Sequence, residues 1–319
     1  MAKPRKYGQE IIEYCKVKYE TRPNITWVAK DCIKAFGLKI DPERFRRSLS
    51  DILEREKVKR QSNDIKRLFF DIETSYYLVP TFKFWKVNIN PQHIIREKKI
   101  ICVCYKWQGK DTVHRLVWDS KQDDTKLVKE FIQVIKQADE IVAHNGDKFD
   151  MKELRTRAIL TDNLMFPVYR TLDTLKKTRQ YFRFPSNKLD YLGQVLNVGR
   201  KLDHEGLQMW IDICEHKDKT ALAKMVEYCE QDVILLEDVY MAISPYIYHN
   251  TNFAVLKGGE KWHCPECASK NVKLSHTDAT AMGVIRRHMK CLDCRKFFKI
   301  SNKTYLFMLD QIIKEKLGK

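Results

Sequence analysis

Residues 67–75, with the sequence RLFFDIETS, constrain this chain more than any other stretch. The apolar run Leu-Phe-Phe is too short for a helix and predicts a buried β-strand. Asp71 and Glu73 end it two residues apart, a spacing that places both carboxylates on one face of a strand. Such neighbours repel each other unless a cation lies between them, and Mg²⁺ and Mn²⁺ prefer oxygen ligands. A strand that ends in a solvated loop is the alternative.

The chain carries 59 Lys and Arg against 42 Asp and Glu, a net charge of +17 that is unevenly placed. Residues 1–67 hold 18 basic and 10 acidic side chains, and residues 252–319 hold 14 and 6. The middle of the chain is close to neutral, with 27 and 26. Basic flanks attract polyanions such as nucleic acid. A solubilising surface is the alternative.

The length of 319 residues predicts more than one domain. We expect a helical module over residues 1–63, a central domain over 64–250 and a small third domain over 251–319. No long apolar run predicts a membrane span, and the first residues, MAKPRK, lack the apolar core of a signal peptide. We therefore expect a cytoplasmic protein that binds no membrane. Its ten cysteines are then better interpreted as thiols or metal ligands than as disulfides.

Residues 7–60 predict three short helices. Gly37 is placed to end the second, and Asp41 followed by Pro42 is a typical start for the third. The third helix carries Arg44, Arg46 and Arg47 in its first turns. This pattern resembles a helix-turn-helix DNA-binding module, and a plain helical or protein-docking module is an equal alternative.

The central region alternates strand and helix patterns. Residues 100–107 and 112–118 predict a hairpin, 126–138 an amphipathic helix, 141–143 a short buried strand and 221–243 a long helix. Residues 76–91 fit no element. The strand at 141–143 leads into a polar turn that delivers Asp150 to the start of a helix, where an N-cap is the structural alternative.

The long helix carries Tyr228 and Asp232 four residues apart and hence on one face. Four acidic residues of this helix are expected on its solvated surface: Glu227, Glu230, Glu237 and Asp238. Cys102 and Cys104 have the wrong spacing for a metal-binding pair, and core packing is expected for at least one of them.

Three motifs occur in order along the chain: Phe-Asp71-Ile-Glu73-Thr74, then Asn145-x-x-x-Phe149-Asp150, then Tyr228-x-x-x-Asp232. Together they resemble the exonuclease motifs of the DEDD superfamily of 3′–5′ exonucleases. The tyrosine is similar to that of the branch that includes the proofreading domains of family B DNA polymerases. The resemblance covers about residues 66–245. It implies a ribonuclease H-like α/β fold, with a mixed central sheet flanked by helices.

The resemblance also implies site roles. Asp71, Glu73, Asp150 and Asp232 would bind two catalytic Mg²⁺ or Mn²⁺ ions, an arrangement suited to phosphodiester hydrolysis. Tyr228 would orient the attacking water, since a phenol is a poor base at pH 7. The terminal nucleotide would contact three residues: Thr74, Asn145 and Phe149. For the last two, structural support of the turn before Asp150 is an equal alternative.

Two C-x-x-C pairs lie near the C-terminus, Cys264/Cys267 and Cys291/Cys294, with 23 residues between them. Four thiolates suit one structural zinc ion, disulfides being the alternative, and the pattern resembles a zinc ribbon. His263 and His288 are expected on the surface. A closing helix is expected over 304–317. Basic residues and two phenylalanines near the pairs suggest a surface for single-stranded nucleic acid: Arg286, Arg287, His288, Lys290, Arg295, Lys296, Phe297, Phe298 and Lys299. For at least one of the two phenylalanines, core packing is the expected role.

The sequence thus predicts a metal-dependent 3′–5′ exonuclease with a basic module at each end. DNA with a single-stranded 3′ end is the expected substrate, and a polymerase or another replication or repair protein is a conceivable partner. One alternative is a 3′–5′ exoribonuclease of the same superfamily. The other is a non-catalytic nucleic-acid-binding or regulatory protein on a nuclease fold.

Overall fold

The computed structural model describes residues 10–11, 14–15, 17–18, 25–46, 49, 65–82, 85, 87–165, 169–202, 206–249 and 251–317. They belong to two compact units. One unit is Lys66–Tyr240, and the other combines Met1–Ile65 with Met241–Lys319. The three domain ranges expected from the sequence stay predictions.

The N-terminal module is described in part. Helix α1 spans Ile25–Phe36, and Gly37 follows it with a positive φ of 59°, the left-handed conformation that favours glycine at a helix end. Residues 42–46 are helical, and the Asp41 carboxylate accepts a hydrogen bond from the Arg44 amide at 2.8 Å, as an N-cap does. A small apolar cluster lies between these segments: Cys15, Val28, Cys32, Phe45 and Leu49.

Most of the first predicted helix, Arg47 and the segment at 50–64 lie outside the described residues. Within them, Arg44 is exposed and Arg46 pairs with Glu43 at 2.6 Å. The helix-turn-helix prediction therefore stays a prediction.

The central unit contains a mixed five-stranded sheet. Its strands are β1 (Arg67–Thr74), β2 (Ile100–Trp107), β3 (Val113–Val117), β4 (Glu140–Ala143) and β5 (Thr171–Asp173). The order is β3-β2-β1-β4-β5. The first three strands are antiparallel neighbours, whereas β4 and β5 run parallel to β1. The mixed sheet implied by the resemblance is therefore confirmed.

Helices flank this sheet: α2 (Thr125–Ile135), α3 (Asp150–Leu160), α4 (Thr174–Tyr181), α5 (Leu189–Val195), α6 (Leu207–Cys214) and α7 (Lys219–Ile243). The apolar face of α2 packs against the sheet, with Phe131 beside Phe70 of β1 at 5.2 Å between ring centroids. Each such side chain contributes about 1.5–3 kcal/mol when fully buried. The periodicity of 126–138 predicted this helix and its buried face.

Two buried ion pairs lie at the other end of β1 and β2, away from the carboxylates. Arg67 contacts Glu140 at 2.6 Å, and Lys106 pairs with Glu237 of α7. Glu237 also accepts from the Gly109 amide at 2.9 Å. The expectation that Glu237 is solvated was therefore wrong, since its side chain is only 1% exposed. It is buried because α7 lies against the sheet and β2 supplies a cation.

The segment that fits no element contains a single bridge, between Leu78 and Arg96, and a 3₁₀ turn at Pro91–His93. Arg96 pairs with Glu215, which also accepts from the Tyr76 hydroxyl at 2.5 Å. These contacts tie both ends of the segment to the end of α6.

The C-terminal segment forms helix α8 (Phe253–Leu256), an antiparallel sheet of β6 (Val272–Ala279), β7 (Ile285–Cys291) and β8 (Phe297–Ser301), and helix α9 (Asn302–Lys316). Met289, Phe298, Ile300 and Met308 pack together in its core with the four cysteines.

His263 was expected on the surface, and that expectation was wrong. It is 6% exposed, and its ring accepts from the Glu260 amide at 3.1 Å. No helix among the described residues has the length and apolar content needed to cross a membrane.

Candidate nuclease and metal sites

Three of the predicted carboxylates meet in the central unit. Asp71 and Glu73 extend from one face of β1, opposite Cys104 and Cys102 of β2, and Asp232 approaches from α7. One oxygen of each carboxylate lies within 4.8 Å of the others. Among the described residues, no other group of three or more carboxylates meets that spacing. Helix α7 thus adds the Asp232 carboxylate to the pair, Asp71 and Glu73, that β1 places together.

Helix α7 packs against the face of the sheet that carries Asp71 and Glu73, and small side chains lie at the contact. Cys229, next to Tyr228, donates to the Asp71 carbonyl with Sγ at 3.6 Å, and Cys104 donates to the Val226 carbonyl at 3.7 Å. Both thiols are buried, as is Cys102. The expectation of core packing for at least one of the β2 cysteines is confirmed for both. Their size lets the helix backbone come close to β1.

Asp150 lies beside this group but outside it. It is the first residue of α3, is 2% exposed, and accepts from the Ile72 amide of β1 at 3.2 Å. Its charge helps to raise the pKa of Asp71. Asp150 is therefore next to the Asp71 side of the site. Its predicted role as a fourth metal ligand stays a prediction.

A tight turn delivers Asp150 to that place. Asn145 has a φ of 68°, a conformation that Asn tolerates better than most residues, and its carbonyl accepts from the Phe149 amide at 3.1 Å. A Cβ at Gly146 would lie 2.4 Å from that of Ala143, so only glycine fits there. Asp173 accepts from the Asn145 amide at 3.0 Å. The backbone of Asn145 thus supports the turn.

The other two predicted substrate contacts lie at the edges of the site. The Thr74 carbonyl, at the end of β1, accepts from the Trp210 indole at 3.0 Å. The Phe149 ring is partly exposed, and the Lys98 ammonium lies 5.0 Å from its centroid. Lys98 also pairs with Glu153 of α3 at 2.6 Å. These contacts orient both residues, and their contact with substrate stays a prediction.

Burial and mutual repulsion make the carboxylates weak acids. Burial and then the Asp232 charge raise the pKa of Glu73 to about 8, and burial raises the pKa of Asp150 to about 7. Burial and the charges of Asp150 and Glu73 raise the pKa of Asp71 well above its ordinary value. Burial also raises the pKa of Asp232, whose Oδ1 is buried without a hydrogen-bond partner in the described part of the chain. Cations would relieve this repulsion.

Sequence reasoning missed one residue of the site, Lys201. Its ammonium group donates to Asp232 and, at 3.1 Å, to the Tyr228 hydroxyl. Burial lowers the pKa of Lys201, but the charge and hydrogen bond of Asp232, together with Tyr228, raise it above its ordinary value, so the side chain stays cationic. Asp190 of α5 accepts from the Lys201 amide at 2.9 Å and so fixes the loop that carries it. No local motif marks this lysine, because its partners lie 27 and 31 positions later.

Tyr228 lies one turn before Asp232 and is half-buried. Burial and the Asp232 charge raise its pKa above the ordinary value, so the phenol is protonated at neutral pH. It can therefore donate or accept a hydrogen bond in the site, but it cannot serve as a base there.

The four predicted cysteines of the C-terminal segment also meet. The sulfurs of Cys264 and Cys294 lie 3.4 Å apart, and those of Cys267 and Cys291 lie 3.7 Å apart. All four lie within 4.8 Å of one another and are free thiols. The disulfide alternative is therefore excluded in this structure, and the cluster could hold one metal ion.

Comparison with known proteins agrees with the fold. Residues 95–244 match a family model described as the RNase_H superfamily. The matched range contains Asp150 and Asp232, whereas Asp71 and Glu73 precede it. With the mixed sheet, this match confirms the predicted ribonuclease H-like domain.

One similar solved structure is the family B DNA polymerase from the hyperthermophilic archaeon Pyrobaculum calidifontis. The similarity covers 57% of this chain, at 16% identity and a TM-score of 0.45. It covers 25% of the polymerase, so this chain spans about a quarter of that protein. A search of curated proteins finds no match.

Proposed function

We propose that this protein is a metal-dependent 3′–5′ exonuclease that hydrolyses phosphodiester bonds in DNA. The proposal is carried by one observation, the meeting of Asp71, Glu73 and Asp232 within 4.8 Å on a ribonuclease H-like domain. A purely structural cluster of this kind would be costly, because closely spaced carboxylates, one of them buried and two partly so, repel each other when no cation lies between them. Bound metal ions would offset this repulsion, which accounts for the presence of the cluster.

The donor set fits hard divalent cations. Carboxylate oxygens are the ligands that Mg²⁺ and Mn²⁺ prefer, and the unpartnered Oδ1 of Asp232 is available as one of them. We propose that Asp71, Glu73 and Asp232, together with Asp150, hold two such ions. Bound ions would supply a nucleophilic water and stabilise the leaving oxygen.

The chain's own groups would position the reactants. The protonated Tyr228 hydroxyl would hold the attacking water by a hydrogen bond. Lys201 keeps that hydroxyl and Asp232 in place and adds positive charge near the scissile phosphate. Phe149 would pack against the terminal base, and Thr74 and Asn145 would line the same end of the site.

We propose that the cysteine cluster holds one structural zinc ion. In a tetrahedral site with a Zn–S distance of about 2.3 Å, neighbouring sulfurs lie about 3.8 Å apart. The observed 3.4 and 3.7 Å are close to that spacing. Four protein ligands leave no open position, so this ion would stabilise the fold rather than react.

The test is incubation with DNA labelled at its 5′ end, single-stranded and duplex, and with labelled RNA. Parallel reactions contain Mg²⁺, Mn²⁺ or EDTA. We expect a ladder of shortening DNA products with either ion, none with EDTA, and protection by a blocked 3′ end. Cleavage of a closed circle would instead indicate an endonuclease.

The alternatives have their own outcomes in the same assay. Degradation of RNA but not DNA would favour the exoribonuclease alternative. Binding without any cleavage would favour the non-catalytic one. Either result would contradict the proposal.

A further inference from the structure

The sheet β6-β7-β8 has two faces of different character. One face is covered by α9, where Tyr305 and Met308 pack against Met289, Phe298 and Ile300. The alternation of residues along a strand places their neighbours on the opposite face. We call this second face the open face, and define it by nine residues: Lys273, His276 and Asp278 of β6, Arg286, His288 and Lys290 of β7, and Phe297, Lys299 and Ser301 of β8.

The strand register groups the open face into three rows. Lys273, Lys290 and Phe297 lie side by side in the first row. The second row is formed by His276, His288 and Lys299. Each of the nine residues is at least partly exposed to solvent.

Positive charge is concentrated in the first two rows. They contain three lysines and two histidines and no acidic residue. In the third row, Asp278 binds Arg286 through two hydrogen bonds of 2.9 and 2.7 Å, and His288 lies 3.2 Å from the same carboxylate. The acid of this face is thus already paired. Within this face of the described chain, Asp278 contacts Arg286 and His288 and none of the three lysines, which therefore present their charge to a polyanion.

The first two rows also present flat rings. Phe297 is 44% exposed, and the Lys290 ammonium lies 5.4 Å from its ring centroid. The rings of His276 and His288 lie 5.4 Å apart. An exposed aromatic ring among lysines suits bases stacked on a platform with phosphates beside them. A lipid headgroup or an acidic peptide would use the charges but not the ring.

The structure also separates residues that the sequence grouped together. Phe298 is buried in the core, and Lys296 is buried with its ammonium bound to the carbonyls of Ser244 and Ile247. Arg287 lies on the face that α9 covers and contacts Asn302 at 2.9 Å. The burial of Phe298 agrees with the core packing expected for at least one of the two phenylalanines. The expectation that Lys296 and Arg287 belong to one basic surface was wrong. Alternation along β7 and β8 sends every second side chain to the opposite face.

We infer that the open face is a binding site for single-stranded DNA, with Phe297 stacking a base and Lys273, Lys290 and Lys299 contacting phosphates. This inference rests on the proposed function, because the bound strand would be the substrate. The inference goes beyond the proposed function because it locates substrate contacts outside the carboxylate site. These contacts would raise affinity for long substrates.

The test measures binding of a fluorescent oligothymidylate of about 30 nucleotides by the full-length chain at several salt concentrations. The Asp71→Ala background prevents degradation during the measurement. One variant replaces Lys273, Lys290 and Lys299 by Gln. Its matched control replaces Lys257, Lys303 and Lys314, three exposed lysines outside the open face, by Gln.

We expect the open-face variant to lose on the order of tenfold in affinity or more. The slope of log affinity against log salt should fall by up to about 2, at about 0.7 per lost phosphate contact. The control should bind like the parent protein. Equal losses in both variants, or none in either, would overturn the inference.

Phe297→Leu tests the stacking. It should weaken binding on the order of tenfold, and the loss should disappear with an abasic oligonucleotide of equal length. An equal loss on the abasic strand would overturn the role of the ring. Tighter binding of RNA than of DNA, or equal competition by polyglutamate, would overturn the choice of DNA as the ligand.

The two proposals can fail separately. The lysine variants with Asp71 intact should cleave a very short oligonucleotide at the parental rate. If the parent protein cleaves no substrate but the open-face variant loses binding, only the nuclease proposal is contradicted. If the parent protein cleaves DNA and the open-face variant binds it as tightly as the parent protein does, only the proposed binding site is contradicted.

Discussion

The carboxylate cluster and the cysteine cluster are both candidate metal sites, but they are assembled over different distances. Asp71 and Asp232 come from a strand and a helix separated by much of the central unit. Cys264 and Cys267 lie in a turn that precedes β6, whereas Cys291 ends β7 and Cys294 lies in the turn before β8, so all four come from one short stretch of chain. Asp71 and Glu73 are partly exposed, whereas three of the four cysteines are buried. The open cluster is suited to reaction and the closed one to stability.

The largest effect should follow from loss of a carboxylate. Asp71→Ala, Glu73→Ala or Asp232→Ala should each lower turnover by about 10³-fold or more, because the cations would lose a ligand. The measurement is single-turnover cleavage of labelled single-stranded DNA, with circular dichroism to verify folding. Glu227→Ala, on an exposed position beside Tyr228, is the control. Full activity in any two of the variants would show that the cluster does not bind the catalytic ions.

Loss of the phenol should have a smaller effect. Tyr228→Phe keeps the ring but removes the hydroxyl that Lys201 contacts at 3.1 Å, and should lower kcat roughly 10²-fold. KM should hardly change, since the hydroxyl would act on the water and not on the substrate. Steady-state kinetics separates the two constants. A large rise in KM with normal kcat would instead make Tyr228 a binding residue.

Stability should depend on pH through Glu73. Its pKa is raised from 4.5 to about 8, so between these values the folded state holds a proton that the unfolded state has lost. The free energy of unfolding should therefore fall as pH rises, by at most about 1.4 kcal/mol per pH unit from this group. Glu73→Gln should flatten that slope, and saturating Mg²⁺ should oppose it.

Urea unfolding at a series of pH values, without added Mg²⁺ or Mn²⁺, measures the slope. Glu227→Gln removes an exposed carboxylate from α7 and should leave the slope unchanged. Asp71, Asp150 and Asp232 also have raised pKa values and should keep part of the slope in Glu73→Gln. A slope in Glu73→Gln as steep as that of the parent protein would show that Glu73 does not contribute to it.

The smallest effect on turnover should come from the cysteines. Cys264→Ser or Cys291→Ser should release the zinc and unfold the small sheet, because binding energy at a closed site is folding energy. Cleavage of a very short oligonucleotide should survive, since all four carboxylates lie in the other unit. Affinity for long DNA should fall.

Elemental analysis and assays on short and long substrates test this separation. Cys214→Ser, which alters a free thiol of α6, should retain the zinc. Equal losses on both substrate lengths, in protein that still contains its zinc, would mean that the two sites act together.

Much of the candidate site could be predicted because its members carry local signals. The apolar run before Asp71 and Glu73 indicates a strand, and the two-residue spacing of these acids places them on one face of it. The helical period of the apolar residues around Asp232 indicates the helix that carries this residue. Lys201 carries no such signal, since a lysine between two helices is ordinary. Glu237 has the sequence context of a surface residue, and its burial beside Lys106 and the Gly109 amide depends on contacts with distant parts of the chain.

By itself, the sequence determined β1 to β4, the helices α2 and α7 and the two cysteine pairs, because hydrophobic period and ligand spacing act over a few residues. Only the tertiary structure decided which groups of different elements meet: Lys201 at Asp232, Asp150 at the amide of Ile72, and Phe297 beside Lys290. Each of these contacts depends on sheet register and on how helices pack. A change of one residue in register would send the side chains to the other face without altering any local pattern.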